Sequence, residues 1–339
     1  MDAKITKTRL SHMLSYDWLK IIGTVAGVII LWVLVFTMTA TKITPSQQFS
    51  VINYSGTYTT DSYFDRLSNA LDRDGVFSHE VIEYSTVDIQ NAGNELAGTM
   101  METRLQTDEG DVLFVADVDD PSTEYVPEGA AEGEKAYYTY YDVFLRRYFY
   151  YIDRLDGETG YLKRMEEYLS TYYENGYEDE ASLDVAKVEA DFRARIKKNK
   201  DKRYKKESQI VAALDEEIAR IKGYRAALVN FYFYVDSGFI ELEERTVDVV
   251  VSYEETQSIT GVFSVNICPN EETMGNLKKD VYYLDKRADE ENPDKTVTVA
   301  CAKDMQFVFL KTSGMSDEYR FESLAYLNYL VETHCTAEG

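Results

Sequence analysis

From Ile21 to Thr41 the chain reads IIGTVAGVIILWVLVFTMTAT, with no charged residue. Its 21 residues, at about 1.5 Å each, reach roughly 31 Å, close to the hydrocarbon thickness of a bilayer. A helix satisfies its own backbone groups in that medium, so the pattern predicts a transmembrane helix over 21–41. A short linker, 42–47 (KITPSQ), follows it. Beyond the linker, apolar runs and helical periodicities alternate. QFSVINY (48–54) reads as a buried strand. Tyr63, Phe64, Leu67 and Leu71 share one face of a helix that Asp61 would cap and Asp74-Gly75 would end. SHEVIEY (78–84) is a second strand. Asn91–Leu105 is a second helix, with Leu96, Met100, Met101 and Leu105 at helical spacing, and DVLFVA (111–116) is a third strand, continuously apolar. This β-α-β-α-β order builds a parallel sheet with helices on its faces. Its ligand crevice lies beyond the carboxyl ends of the strands, here 53–58 and 117–120.

The middle of the chain changes character. Tyr137–Tyr177 holds twelve tyrosines. Tyr141, Phe144, Leu145, Tyr148, Ile152 and Leu155 fit one helical face, and a second helix is expected over 161–173. Leu183–Phe233 is expected to form one or two long helices. There Val211, Leu214, Ile218, Ile221 and Leu228 recur at spacings of 3, 4, 3 and 7, a coiled-coil-like seam. One helix of about 45 residues would be near 65 Å long, which suggests a protruding helical hairpin. Strands return at GVFSVNI (261–267), VTVACA (297–302) and FVFL (307–310), before a last helix over 317–331.

Charge sets the orientation. Residues 1–20 carry Lys4, Lys7, Arg9 and Lys20 against Asp2 and Asp17, a net of +2, which leaves −26 to the rest of a chain whose total is −24. Basic flanks stay on the cytoplasmic side, so the tail is expected inside and the bulk outside, with Tyr16 and Trp18 at the interface. The rival reading is a cleaved signal peptide. Secretory apolar regions run about 7–15 residues, shorter than this one. A cut after Ala40 would also place Met38 where a small residue is wanted. The acidity argues against nucleic acid as a partner, since phosphate binding needs clustered Lys and Arg.

At the level of element order the chain resembles the bacterial extracellular solute-binding proteins of the type II periplasmic-binding fold, in a membrane-anchored form. The resemblance rests on SHMLSYDWLK before the span, then QFSVINYSG, the Tyr-Phe-Asp helix start, METRLQTDEGDVLFVAD and the late strands and helix. It covers 48–120 and 247–332 as a pattern of elements, without a signature motif. It implies an α/β domain that captures a ligand near Asp117, and the tyrosine-rich helical middle departs from it.

Candidate chemistry is sparse. The three cysteines, Cys268, Cys301 and Cys335, fit no zinc spacing; Cys268 and Cys301 could pair, or all three could be free thiols. The three histidines, His12, His79 and His334, leave little material for a zinc site or a serine–histidine triad. Asp117, Asp119, Asp120, Glu124 and Glu128 look like an acidic calcium loop, but Pro121 and Ser122 stand where a ligand and a glycine are needed. GNELAG (93–98) has the glycine spacing of a phosphate loop without the following Lys-Ser or Lys-Thr, and reads as helix. Lys197–Glu207 carries seven basic residues against two acidic ones, a contact for an acidic partner or a solvated hairpin tip.

The sequence therefore predicts a cytoplasmic tail (1–20), a transmembrane helix (21–41), a linker (42–47), an extracytoplasmic α/β domain (48–136 and 240–332) and a helical insertion (137–239). The expected role is non-catalytic binding at the cell membrane, with no metal and no cofactor. Tyr54, Ser55, Asp117 and Asp119 are the ligand candidates for a small molecule or peptide. Lys197, Lys198, Arg203, Leu214 and Ile218 are the candidates for contact with a protein of a membrane complex. An assembly subunit without a ligand is the alternative, and an envelope enzyme the third.

Overall fold

The computed structural model describes residues 7–8, 11, 18–39, 47–89, 94–107, 109–127, 129–131, 133–252, 255–311 and 321–335. It divides into two units, Met1–Thr44 and Pro45–Gly339. In the first, helix α1 spans Trp18–Thr39, beginning three residues before the apolar run. Its Trp18–Phe36 stretch has a mean hydropathy of 2.5, with none of it buried. By length and composition it is the one helix among the described residues able to cross a membrane. Tyr16 and all of the expected linker but Gln47 lie outside the described residues.

The second unit opens with β1 (Gln48–Asn53), β2 (Tyr58–Thr59), α2 (Tyr63–Asp74), β3 (Glu83–Asp88), α3 (Asn94–Gln106) and β4 (Val112–Ala116). Strand β1 pairs in parallel with β3 on one side and β4 on the other, with Val51 opposite Val112 and Ile52 opposite Leu113. The chain thus steps outward from β1 to β3 and returns past β1 to β4. Right-handed crossovers then put the two helices on opposite faces. Tyr63, Leu67 and Leu71 of α2 pack with Phe49, Val51 and Phe114, while Met101 and Leu105 of α3 pack with Ile52, Leu113 and Val115. Period-2 alternation divides each strand between two cores, and for that reason VLFVA is apolar throughout.

Two local expectations shift. Ser62, with φ 59°, takes the cap position expected of Asp61 and makes no side-chain capping bond. The second strand begins at Glu83, because Ser78–Val81 turns back on itself through Val81 N–H to the Ser78 carbonyl.

Next come α4 (Tyr140–Tyr148), α5 (Tyr161–Ser170), α6 (Val185–Asn199) and α7 (Glu207–Asp236). All six residues of the predicted 141–155 face are buried. The regular helix ends at Tyr148, and one 3-10 turn carries the face on to Ile152. The chain then forms a hairpin of β5 (Glu244–Ser252) and β6 (Glu255–Val262), then β7 (Val265–Asn266), α8 (Glu271–Met274), β8 (Val281–Ala288), β9 (Thr296–Cys301), β10 (Met305–Phe309) and α9 (Glu322–His334). Strand β10 runs antiparallel between β4 and β7, completing a mixed sheet ordered β3-β1-β4-β10-β7. Strands β2, β8 and β9 form a separate antiparallel sheet. The three cysteines are free.

The long helices are not a protruding arm. Helices α6 and α7 fold back on each other around Phe192, Ile196 and Ala213. Further along α7, Ile221, Tyr224, Leu228 and Phe231 enter the same core as Phe49, Val51 and Phe307. Asn328 of α9 donates Nδ2–H to the Ala227 carbonyl at 2.7 Å, tying the last helix to α7.

Candidate functional site

At the carboxyl ends of β1 and β4 the chain fills its own crevice. Asn53 and Thr57 are buried and hydrogen-bonded to each other. A Cβ on Gly56 would lie 2.5 Å from the Tyr140 ring, so glycine at φ +80° is what lets α4 dock there. Thr139 and Asp142 form the capping box that starts α4. Tyr54 is buried edge-on against Phe144 and Tyr148, and burial pushes its hydroxyl pKa up. Ser55 is half-buried. Asp117 is ion-paired to Arg245 through Oδ2, its buried Oδ1 makes no hydrogen bond, and burial raises its carboxyl against the pull of that guanidinium. Asp119 is held in a backbone bridge to Thr139. The acidic loop disperses likewise, Asp120 accepting from Ser122 N–H and Glu124 pairing with Lys135; Glu128 lies outside the described residues.

The polar concentration lies elsewhere, where the α2–β3 turn meets α6, α7 and α9. Glu80 accepts from Arg195 at 2.9 Å and from Arg203 at 2.5 Å. Glu217 accepts from Arg195 on both oxygens, at 2.9 and 2.8 Å, and from Arg220 at 3.0 and 2.5 Å. Arg220, fully buried, also reaches Tyr168 and Tyr224. Arg203 comes from the predicted basic stretch and pairs with Asp201 as well. Burial opposes ionisation of Glu80 and Glu217, but His79 with Arg203 and Arg195 beside Glu80, and Arg220 with Arg195 beside Glu217, outweigh it and hold both carboxyls low, Glu217 at about 2.

His79, Glu80 and Glu217 bring ligand atoms within 4.8 Å of one another. All four carboxylate oxygens already accept guanidinium N–H groups, so this donor set does not suit a cation. His79 itself makes no hydrogen bond through either ring nitrogen, Nε2 lying 3.5 Å from Glu80 and 3.8 Å from Glu217.

Beside this network opens a cleft of about 280 Å³. Phe77 and His79 form one wall, Ala219 and Gly223 of α7 a second, Glu322 and Ala325 of α9 the third. Gly223 sits in the middle of a 30-residue helix, where glycine costs about 1 kcal/mol relative to alanine. A Cβ there would meet nothing within 4 Å. Glu322, only 2% exposed, takes the Ser78 hydroxyl on Oε1 at 2.6 Å, while its Oε2 has no partner. Burial raises its carboxyl, against the bond from Ser78. The cleft is a mostly apolar hollow whose lining includes Glu322, with Oε2 unsatisfied, and His79, with neither ring nitrogen hydrogen-bonded.

A second hollow, about 510 Å³, lies between Pro269–Glu272 and Tyr283–Arg287. Behind it Cys301 donates to the Tyr283 hydroxyl at 3.1 Å. The same sulfur accepts from Arg287 Nη2 at 2.5 Å, and burial raises this thiol.

Of the predicted contact residues, Lys197 and Lys198 are exposed in the last turn of α6. Leu214 packs with the α6–α7 cluster, and Ile218 packs against the main core, so neither belongs to an open seam. The buried stripe of α7 is instead Ala213, Glu217, Arg220, Tyr224, Ala227 and Phe231, with Ile221 and Leu228 beside it. Its 4-3-4-3-4 spacing was a readable signal, but a Glu and an Arg stand in it where apolar residues are sought. Comparison with protein-family models, curated proteins and solved structures finds no match.

Proposed function

We propose that the chain is a membrane-anchored binding protein whose second unit captures a small molecule outside the cytoplasm without transforming it. The orientation rests on the basic residues before α1 and the acidic remainder. The observation that carries the binding reading is the Gly223 cleft, a mostly apolar hollow whose lining includes Glu322, with Oε2 unsatisfied. Each buried polar atom without a partner needs an explanation, and Glu322 Oε2 belongs, with the His79 ring, to the lining of this cleft. A solute-binding-type role is kept, with the site moved from the strand ends, where Tyr140 and Arg245 fill the crevice, to the space between α2, α7 and α9.

A thermal-shift screen of the full chain in detergent, against amino acids, amines, sugars and short peptides, tests this reading. A ligand at 100 times its Kd adds about 2.7 kcal/mol to unfolding. A shift that disappears in Gly223→Leu supports the cleft. A library that leaves wild type and Gly223→Leu equally unmoved overturns it.

A second reading, assembly without a ligand, is favoured by Phe233 and Val229 of α7, which remain 58% and 38% exposed. It predicts a self-associated or partner-bound species in sedimentation that Phe233→Ser dissociates.

A further inference from the structure

The charges around the cleft are unequally served. Arg195, Arg203 and Arg220 stand against Glu80, Glu217 and Asp201, three cations for three anions, all within ion-pair distance. Two acids of the cleft lining remain, Glu216 on the exposed side of α7 and the buried Glu322. Among the described residues no basic side chain lies within ion-pair distance of Glu322; its Oε1 takes the Ser78 hydroxyl, the Tyr224 hydroxyl stands beside its carboxyl, and Oε2, on a residue that lines the cleft, makes no hydrogen bond. An occupant carrying a positive charge and N–H donors would satisfy both the missing charge and the missing bond. Phe77 and Tyr224, which also line the hollow, offer aromatic surface to a cation or an apolar body.

Size narrows the occupant further. A dry cavity of about 150 Å³ holds benzene, and drug-sized pockets begin near 300 Å³. The 280 Å³ here suits a molecule with a ring or short alkyl body and one polar head. Gly223 and Ala219, on successive turns of α7, give that body its room.

We infer that the cleft binds a small primary amine, its ammonium on Glu322 Oε2 and its apolar body against Gly223. This inference rests on the cleft being the binding site proposed above. It goes further in fixing the charge of the ligand and the residue that reads it. The carboxylates of Glu80 and Glu217 take no part in the contact, since their oxygens are committed to guanidinium groups.

The test uses three probes of one shape and different charge: 2-phenylethylamine, 2-phenylethanol and phenylacetate, titrated into the full chain in detergent by calorimetry. The amine is expected to bind roughly tenfold or more tightly than the alcohol, the worth of one charge-assisted contact, and the acid to show no binding. Glu322→Gln keeps the Ser78 bond through its amide oxygen and removes the charge. It should bring the amine down to the level of the alcohol. Gly223→Leu should remove binding of both, and retained cooperative unfolding shows that each variant is folded. Equal binding of alcohol and amine to wild type, or an amine affinity unchanged in Glu322→Gln, overturns the inference and leaves the cleft reading intact. So does silence from all three probes while other library ligands give shifts sensitive to Gly223→Leu. If no ligand of any class responds to Gly223→Leu, both readings fall.

Discussion

Arg195 of α6 meets the Glu217 carboxylate of α7 end-on, Nη1 2.9 Å from one oxygen and Nη2 2.8 Å from the other. Their side chains are 9% and 3% exposed, so water does little to screen them. This bidentate pair ties α6 to α7. A buried pair of this kind is costly to break from one side, because the surviving charge has nowhere to go. Glu217→Gln should therefore lower the unfolding free energy by about 3–5 kcal/mol. Lys197→Ala, on the exposed end of α6, should stay within about 0.5 kcal/mol of wild type. Urea unfolding followed by near-UV circular dichroism distinguishes the two.

The same carboxyls set opposite responses to pH. Glu217 is held at about 2, below its ordinary 4.5. A depressed acid contributes its stability in full above the unfolded value and loses it as pH falls through the folded one. Its share should decline between about pH 4.5 and 2, and Glu217→Gln should flatten that acid limb. Glu322 is raised. Its contribution is complete below the unfolded value and is lost as pH rises through the folded one. Glu322→Gln should therefore melt higher than wild type at pH 8 and converge with it near pH 4.5. Melting temperatures across this range check both signs.

Gly56 answers for the filled crevice. Alanine there would have to hold φ near +80° and place its Cβ 2.5 Å from the Tyr140 ring. Gly56→Ala should cost about 1–3 kcal/mol. Gly56→Ala combined with Tyr140→Ala should recover part of that loss, the part due to contact and not to backbone strain. Measured unfolding free energies for the single and double variants give the division.

Membrane orientation has its own readout. Cysteine placed at Lys197 in a chain whose three native cysteines are replaced by serine should react with an impermeant maleimide on intact cells. Cysteine at Lys7 should react only after lysis. The reverse pattern contradicts an inward N-terminus.

Much of the scaffold was legible because it follows simple periods. The β-α-β-α-β order, the fully apolar β4 and the buried face from Tyr141 to Leu155 all stand where the pattern put them. Strand boundaries were less legible at Ser78–Glu80, whose alternation mimics a strand while its polar groups turn toward Arg195, Arg203 and Glu322. The site was hidden for the same reason. Hydrophobic spacing on α7 selects Val211, Leu214, Ile218, Ile221 and Leu228, of which Ile221 and Leu228 are fully buried, whereas the helix also buries Glu217 and Arg220 by neutralising them against partners 22 or more positions away or one turn along. No local pattern announces pairing at that range. Arg203 reads in the sequence as a cation for an acidic partner or for solvent, while its partner Glu80 lies 123 positions earlier.

The central claim is that a ligand sits between α2, α7 and α9 and not at the strand ends. A crystal structure of the full chain grown with 2-phenylethylamine, or with the strongest ligand from the screen, tests it most directly. The account predicts density in the Gly223 cleft with a donor about 3 Å from Glu322 Oε2. Density between Asn53–Tyr58 and Asp117–Asp120, with Tyr140 displaced, would contradict it.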